Sequence, residues 1–368
     1  MNDPASKPNP DDRTGDAPPL PIAARRHPVI AEARRQLQRE AGYAGGPIVL
    51  AVSGGVDSVA LLLTFLAFRE QPRSFARPVQ SVIAHVHHHL REEADLDAAH
   101  VRELAARFSL PFARRDVDPG ACTGNLAEAS RTLRYRALIE IARDHGAEWI
   151  ATAHHAEDQL ETMLMNLARG AGVDGLSGMR PARALEPGVT LARPLLGQNK
   201  SDCRAVCEKA GVTWRDDASN QDRARSRNRL RAEVLPVLQQ LWPGAALRAN
   251  AAAEQCAWAA ALMDRELDRV FGEQPDAMVD GTGDGTKSAW PREELRLHPP
   301  ALLAAGFRRA ALRQDANLTD RVGYETYRQV AAAIHDDELR PRRFALGPRL
   351  TVAVTAREVT IRSDEVTE

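Results

Sequence analysis

The stretch Pro47–Leu63, PIVLAVSGGVDSVALLL, decides the fold. Ile48 to Val52 is a continuous apolar run, which suits a strand buried on both faces. The run breaks into Ser53-Gly54-Gly55-Val56-Asp57-Ser58, and Val59, Leu62, Leu63 and Leu66 then follow at helical spacing. A strand, a glycine turn and a helix N-terminus together make an anion site, because unpaired backbone N–H groups and the positive end of the helix dipole meet there. The glycines let the backbone approach a phosphate closely, and Ser53 and Ser58 add hydroxyl donors. Asp57 repels phosphate, so it calls for a cation, most simply Mg²⁺ held between carboxylate and phosphates. The turn is not a Walker A loop, since it lacks both the GxxxxGK[ST] spacing and the lysine.

Around this stretch, strands and helices alternate. Residues 79–86 and Phe112 to Val117 read as strands, as does Glu148 to Ala153; 189–196 adds a short one. Pro28 to Glu40, Glu92 to Phe108, Asn125 to His145, Ala156 to Arg169 and Ser201 to Ala210 read as helices, the last with Ser201 as N-cap. This alternation predicts an α/β fold with a Rossmann-like parallel sheet whose strand C-termini share one edge. The phosphate turn, His85 to His89 and His154 all fall on that edge. Residues 1–26 are polar and proline-rich and read as a disordered tail, with no signal-peptide pattern. Pro236 marks a boundary, giving a catalytic domain over 27–239 and a second domain over 240–368. The second domain reads as mainly helical, with 272–289 as a flexible insert, a break near Pro299-Pro300 and a small terminal hairpin within Phe344 to Arg362.

The 368 residues are 43% hydrophobic, enough for two cores, and no run of eighteen apolar residues predicts a membrane span. Cys122, Cys203, Cys207 and Cys256 are spaced for neither a disulfide framework nor a zinc ribbon, which points to the cytoplasm. Net charge is −1, and residues 236–368 hold 17 Lys and Arg against 20 Asp and Glu, so any RNA contact must be made by local patches. The densest such patch is Arg223, Arg225, Arg227, Arg229 and Arg231.

A second constellation lies in Thr152–Thr162. His154, Asp158 and Glu161 stand at i, i+4 and i+7 and so share one helix face, while Ala156, Leu160, Met163, Leu164 and Leu167 take the opposite one. Such a row can move protons, and its carboxylates can hold Mg²⁺ or an ammonium group. Zinc is disfavoured because the two histidines are adjacent rather than i, i+4.

In chain order, SGGVDS (53–58), AHVHHHLR (84–91), NLAEASRTLRYRAL (125–138), TAHHAEDQLETMLMNLARGAGVDGLSGM (152–179) and RDDASNQDRARSRNRLRAEVLPVL (215–238) resemble the tRNA(Ile)-lysidine synthetase family of PP-loop (N-type) ATP pyrophosphatases. The resemblance covers roughly residues 45–240. It implies adenylation, by ATP with Mg²⁺, of the 2-carbonyl oxygen of the wobble cytidine in a CAU-anticodon tRNA(Ile), followed by displacement of AMP by L-lysine. It implies that Ser53, Gly54, Gly55, Val56, Asp57 and Ser58 bind ATP, with Asp57 and Asp158 on the metal. It gives Asp57, Arg134, His154, Asp158 and Glu161 catalytic roles, and Asp158, Glu161, Arg225, Arg227, Asn228, Arg229 and Arg231 contact with lysine or tRNA. A tRNA-binding C-terminal domain is part of the same expectation, and a homodimer is compatible with it. Glu157 departs from a more usual Asp, and His87 to His89 replace an Asn-His-Gly type sequence. Two rivals remain: another PP-loop enzyme such as a tRNA thiolase, and a nucleotide-binding RNA module without catalysis. The first generally needs catalytic cysteines or a CxxC, which is absent here; the second would not require the row from Asp57 to Glu161.

Overall fold

The computed structural model describes residues 18–71, 75–89, 94–122, 126–215, 226–272, 278–279, 286–315, 318, 322–347 and 350–363. The chain divides into two compact units, Met1–Ala257 and Trp258–Glu368.

The first unit begins with α1 (Ile22–Arg25) and α2 (Pro28–Arg35), which runs on as a π-helical turn to Ala41. Then follow β1 (Gly46–Ala51), α3 (Val56–Arg69), β2 (Val79–His87), α4 (Ala94–Arg107), β3 (Phe112–Asp116), α5 (Leu126–Asp144), β4 (Trp149–Ala151) and α6 (Ala156–Ala168). Next are α7 (Val173–Leu176), β5 (Ala182–Glu186), β6 (Val189–Ala192), α8 (Lys200–Ala210), α9 (Ser226–Arg229), α10 (Leu235–Leu241) and α11 (Ala245–Phe271), whose C-terminal half enters the second unit. The sheet order is β3-β2-β1-β4-β6-β5, parallel throughout except for β5, an antiparallel edge strand that the sequence pattern did not reveal. Alternate residues of β1 point to opposite faces. Ile48 and Leu50 pack with α2, α3, α4 and α8, while Val49 packs with Leu138 and Ile141 of α5.

Several expectations need correction. The tail reading fails over 18–26: Leu20 and Ala24 are buried in the main core, and the Leu20 N–H donates to Glu70 Oε1 at 2.8 Å. Residues 1–17 lie outside the described residues, as do Arg223 and Arg225. Asn199, not Ser201, occupies the N-cap of α8. Pro236 does not separate domains; it sits in the first turn of α10, and Leu235 packs against Ala156 and Leu160 of α6.

The second unit continues with β7 (Met278–Val279), β8 (Thr286–Pro291), α12 (Arg292–Leu295), α13 (Pro300–Gln314), α14 (Tyr324–His335), β9 (Arg342–Ala345), β10 (Leu350–Val354) and β11 (Glu358–Ser363). The expected hairpin is β10–β11, and it forms the middle of a five-stranded antiparallel sheet, order β7-β8-β11-β10-β9. Part of the expected flexible insert is therefore strand. Arg292 is 1% exposed. Its guanidinium donates to the carbonyls of Ile334 (3.0 Å), Ala333 (2.7 Å), Asp336 (2.6 Å) and Thr355 (3.2 Å). Three of these belong to the C-terminal end of α14, where a cation also meets the negative end of the helix dipole. Replacing Arg292 by Met strands the buried Ala333 and Ile334 carbonyls and removes the partner of the half-buried Asp336 and Thr355 carbonyls. The expected loss is about 3–5 kcal/mol, read as a fall in the urea midpoint of the second unit; a loss below about 1 kcal/mol would show that water replaces the guanidinium.

Candidate active site

The chain leaves β1 towards β2 and β3, then returns to place β4 on the other side of β1, so the strand order reverses between β1 and β4. Ligands of open α/β sheets bind at the strand C-termini beside such a reversal. The phosphate turn follows β1 and the Thr152–Asp158 segment follows β4. A cleft of about 680 Å³ opens between them, lined by Ser53, Asp57, Arg134, His154 and Arg231.

Gly54 has φ +97°, a left-handed conformation that favours glycine. The Arg215 N–H donates to the Gly54 carbonyl at 3.0 Å, and Arg215 Nε reaches Asp97 at 2.6 Å, which clamps the turn against α4. The first intrahelical bond of α3 runs from the Val59 N–H to the Gly55 carbonyl, so the amides of Val56, Asp57 and Ser58 point out of the helix end. Ser58 closes the turn on itself. Its Oγ donates to the Gly55 carbonyl at 2.8 Å and accepts from the Ser53 and Gly54 amides at 3.2 and 3.1 Å. It is thus a brace of the turn as well as a potential phosphate donor. Asp57 Oδ1 is buried without a hydrogen-bond partner, and the carboxylate faces two clefts. An orphaned, buried carboxylate oxygen beside an anion site fits a cation such as Mg²⁺.

The expected His154–Asp158–Glu161 row is divided. His154 precedes α6 instead of lying on it. Its Nδ1 bonds Thr152 Oγ1 at 2.9 Å. Burial pushes its pKa down to about 3; Asp158 opposes this, while Arg193, Arg134 and Arg131 add to it. The histidine that joins the carboxylates is His155, the N-cap of α6, which the helix-face argument overlooked. Its Nε2 lies 3.6 Å from Asp57 Oδ2 and 3.5 Å from Asp158 Oδ2, and its Nδ1 lies 3.0 Å from Glu157 Oε2. Burial pushes this imidazole down, but Asp158, Asp57 and Glu157 together raise it to about 10, so it is an imidazolium at neutral pH. The sequence signal was an acidic residue three positions after His155, ahead of an apolar helical pattern: Asp158 Oδ2 accepts the His155 N–H at 3.1 Å.

Asp158 and Glu161 do not face open solvent. Arg231 bonds both, through Nη2 to Asp158 Oδ1 and through Nε to Glu161 Oε1, and Arg227 Nε lies 3.3 Å from Glu161 Oε2. Burial pushes Asp158 up, yet His155, His154 and Arg231 outweigh it and hold the pKa at about 2. Glu161 is fully buried and its pKa is raised by that burial, against the pull of Arg231. Both Asp158 oxygens are engaged, so the expected metal role fits Asp57 and not Asp158. Asp57, Asp158, Glu161 and Arg231 line a second cleft of about 590 Å³ together with Lys200 and Gln239. Among the described residues Arg229 pairs with Glu233, at 3.2 Å on the surface, and Leu167 is exposed rather than packed. Asn228 is half-buried.

The other histidines play local parts. His85 Nδ1 bonds the Val52 carbonyl at 2.9 Å, fixing the end of β1. His87, His89 and Asp116 lie close enough to share a metal ion, but the Arg114 guanidinium occupies both oxygens of Asp116, so the group is an ion-paired corner. Cys203 and Cys207 are buried beneath α3, and burial pushes the Cys207 thiol up to about 12 and Cys203 well above its ordinary value, so neither offers a thiolate.

A family model described as a PP-loop domain matches residues 29–238. The tRNA(Ile)-lysidine synthase of Geobacter sulfurreducens is 37% identical over 271 residues, covering 72% of this chain and 55% of that protein. The tRNA(Ile)-lysidine synthases of Bradyrhizobium diazoefficiens and Pectobacterium atrosepticum are 43% and 34% identical, over 57% and 81% of this chain and 57% and 66% of their own lengths. The chain thus spans little more than half the length of several of the curated relatives it matches. Among solved structures, a U34-tRNA thiolase from Methanococcus maripaludis with its [4Fe-4S] cluster aligns with a TM-score of 0.51 at 13% identity, over 64% of this chain and 83% of that one; the likeness concerns the fold alone. With the matched span running from α2 through α10 and enclosing the whole reversal-point cleft, the chain belongs to the PP-loop domain family.

Proposed function

We propose that this protein is a tRNA(Ile)-lysidine synthetase, joining L-lysine to C2 of the wobble cytidine of a CAU-anticodon tRNA(Ile) at the expense of ATP. The observation that carries the reading is the pair of clefts sharing Asp57 and Arg231. One is built for a nucleotide and a base, the other for an amine beside buried carboxylates. In the first step the cytidine O2 attacks the α-phosphorus of ATP; the O2–P bond forms and the bond to pyrophosphate breaks. In the second the lysine ε-amine attacks C2, AMP leaves with O2, and the amine proton passes to a base.

The amides of Val56 to Ser58 and the Ser53 hydroxyl bind phosphate oxygens where charge builds as pyrophosphate departs. Asp57, with its orphaned carboxylate oxygen, would hold Mg²⁺, which would screen the triphosphate charge. Arg134, lining the same cleft, binds the reacting phosphate. His154 is neutral, so it contacts cytidine or phosphate as a hydrogen-bonding group rather than as an acid. Glu161, its pKa raised by burial, is placed to take the proton that a lysine ammonium must lose before it can attack. Arg227 and Arg231 hold Glu161 and Asp158 in place until the amine arrives. The burial of Cys203 and Cys207 and the lack of any CxxC pairing for exposed Cys122 and half-buried Cys256 disfavour the rival reading of a sulfur-transferring enzyme.

The first test is pyrophosphate release from ATP with unmodified CAU tRNA(Ile), with and without lysine, with nucleosides read by mass spectrometry. Lysine-dependent turnover with lysidine at the wobble position is expected, and Asp57→Ala should lower it by about 10²–10³-fold. Turnover with sulfur incorporation, or without any need for tRNA, would move the protein to another PP-loop reaction. His155 generates a second expectation. Its folded pKa of about 10 lies above its ordinary 6.5, so its charge stabilises the fold in full below about pH 6.5, and that contribution is lost as pH rises through about 10. Chemical denaturation of the wild type and His155→Gln should show a stability gap that is widest at pH 6 and shrinks progressively between about pH 6.5 and 10. A gap that stays constant or widens would mean that His155 is buried neutral.

A further inference from the structure

Beside the nucleotide cleft, and separated from it only by α5, lies a hollow of about 660 Å³ lined by Arg131, Thr132, Tyr135, Arg136 and Arg183. The guanidinium carbons of Arg131, Arg134 and Arg183 stand 5.3, 5.2 and 5.3 Å from the centre of the Tyr135 ring. Arg193 approaches the same phenol from β6–α8, 2% exposed, with Nη1 donating to the Arg180 carbonyl at 2.5 Å. Among the described residues none of these four arginines makes an ion pair with a carboxylate. Of the acids lining the hollow, Glu186 is held by Arg143 at 2.7 Å and Glu140 lies 4.0 Å from Arg115, while Glu128 sits on the exposed rim. Buried Nε atoms of Arg134 and Arg193 and the Tyr135 hydroxyl lack hydrogen-bond acceptors.

Four cations packed around one ring repel one another, and burying Arg193 is costly without a counter-charge. An edge strand such as β5 can carry a cation merely to block pairing with another strand. That accounts for Arg183 alone; it does not account for Arg131 and Arg134 on a facing helix or for buried Arg193. The exposure also has a direction: Arg131 and Arg183 are exposed, Arg134 is half-buried and lines the nucleotide cleft, and Arg193 is buried. Arg131, Arg183 and Arg134 thus form a track from solvent to the nucleotide cleft, with Arg193 buried behind it.

We infer that Arg131 and Arg183 beside Tyr135, backed by the buried charge of Arg193, form a cradle for backbone phosphates of the RNA strand whose base enters the cleft past Arg134. The inference rests on the proposed reaction for the identity of the RNA. A planar guanidinium suits a phosphodiester, and contacts of this kind fix register without reading sequence. A flipped base requires its flanking phosphates to be held, and the cradle lies one helix width from the place where the base must go.

The test measures binding of fluorescent unmodified CAU tRNA(Ile) to the wild type, Arg131→Ala/Arg183→Ala and Arg131→Lys/Arg183→Lys, across KCl concentrations and without ATP or lysine. The alanine pair should weaken binding about tenfold or more at low salt and reduce the log–log salt slope by about 1.4, for two single-strand contacts. The lysine pair should keep most of both, which separates lost charge from lost folding. In turnover assays the KM for tRNA should rise while the KM for ATP stays unchanged. Wild-type RNA affinity and salt slope in the alanine pair would overturn the inference. So would a rise in the KM for ATP alone, which would make the arginines part of a triphosphate cradle. The absence of lysidine from the wild type, with RNA binding still dependent on Arg131 and Arg183, would sink the proposed reaction and leave the cradle standing.

Discussion

Burying charge is expensive, and the site is arranged around meeting that cost internally. His155 lies between Asp57, Glu157 and Asp158, and Arg231 and Arg227 cover Asp158 and Glu161. Four carboxylates thus face three cations, and the surplus negative charge is Asp57, the carboxylate next to the phosphate turn. Remove the imidazolium and three acids crowd together at the start of α6, where desolvation would drive at least one of them to take up a proton. The geometry of the turn, the entry angle of α6 and the docking of α9 all depend on this one balance. The strand-order reversal at β1 and β4 brings the partners together.

The fold was legible because its signals are local. A doubly buried strand must be an unbroken apolar run, and Ile48 to Val52 is one; an anion-binding turn must have glycine at its strained position, and Gly54 is there at φ +97°. The site was legible as a set of residues but not as a wiring diagram. Helical spacing placed Asp158 and Glu161 on one face correctly, yet it counted His154 as helical, and the helix begins two residues later. An N-cap residue points back across the helix end, so periodicity says nothing about it.

What could not be read depends on contacts distant in sequence. Arg231 meets Glu161 seventy residues away, and Arg215 clamps Gly54 from the far end of the domain. In sequence Arg231 reads as one member of a basic run, and Arg215 stands beside two aspartates with nothing to mark its partner. Arg292 looks like a surface cation and is instead the C-terminal cap of α14. The strands β7 and β8 were hidden because Gly- and Asp-rich flanks argue for a loop, and only pairing with β11 shows Ser288 and Trp290 in register with Ile361 and Val359. Leu20 and Ala24 were hidden because a polar, proline-rich neighbourhood outweighs two apolar residues in any composition window.

On the proposed reaction, the two clefts give an order of events a physical basis. A free amine beside ATP could attack the α-phosphorus itself, and an activated carbonyl open to water could be hydrolysed. Asp57 and Arg231, which line both clefts, form the wall between the nucleotide side and the amine side, and His155 and Asp158 hold them from the second cleft. The wall is built of ion pairs, not of packed apolar side chains. An arriving ammonium can exchange with an arginine for Asp158 or Glu161 at little electrostatic cost, because one cation replaces another. Loss of the lysine proton to Glu161 then removes that replacement charge, and Arg231 keeps its pairing with Asp158 as the neutral amine moves towards C2. A wall of leucines could separate the clefts as well, but it could not be opened by the substrate it is meant to hold back.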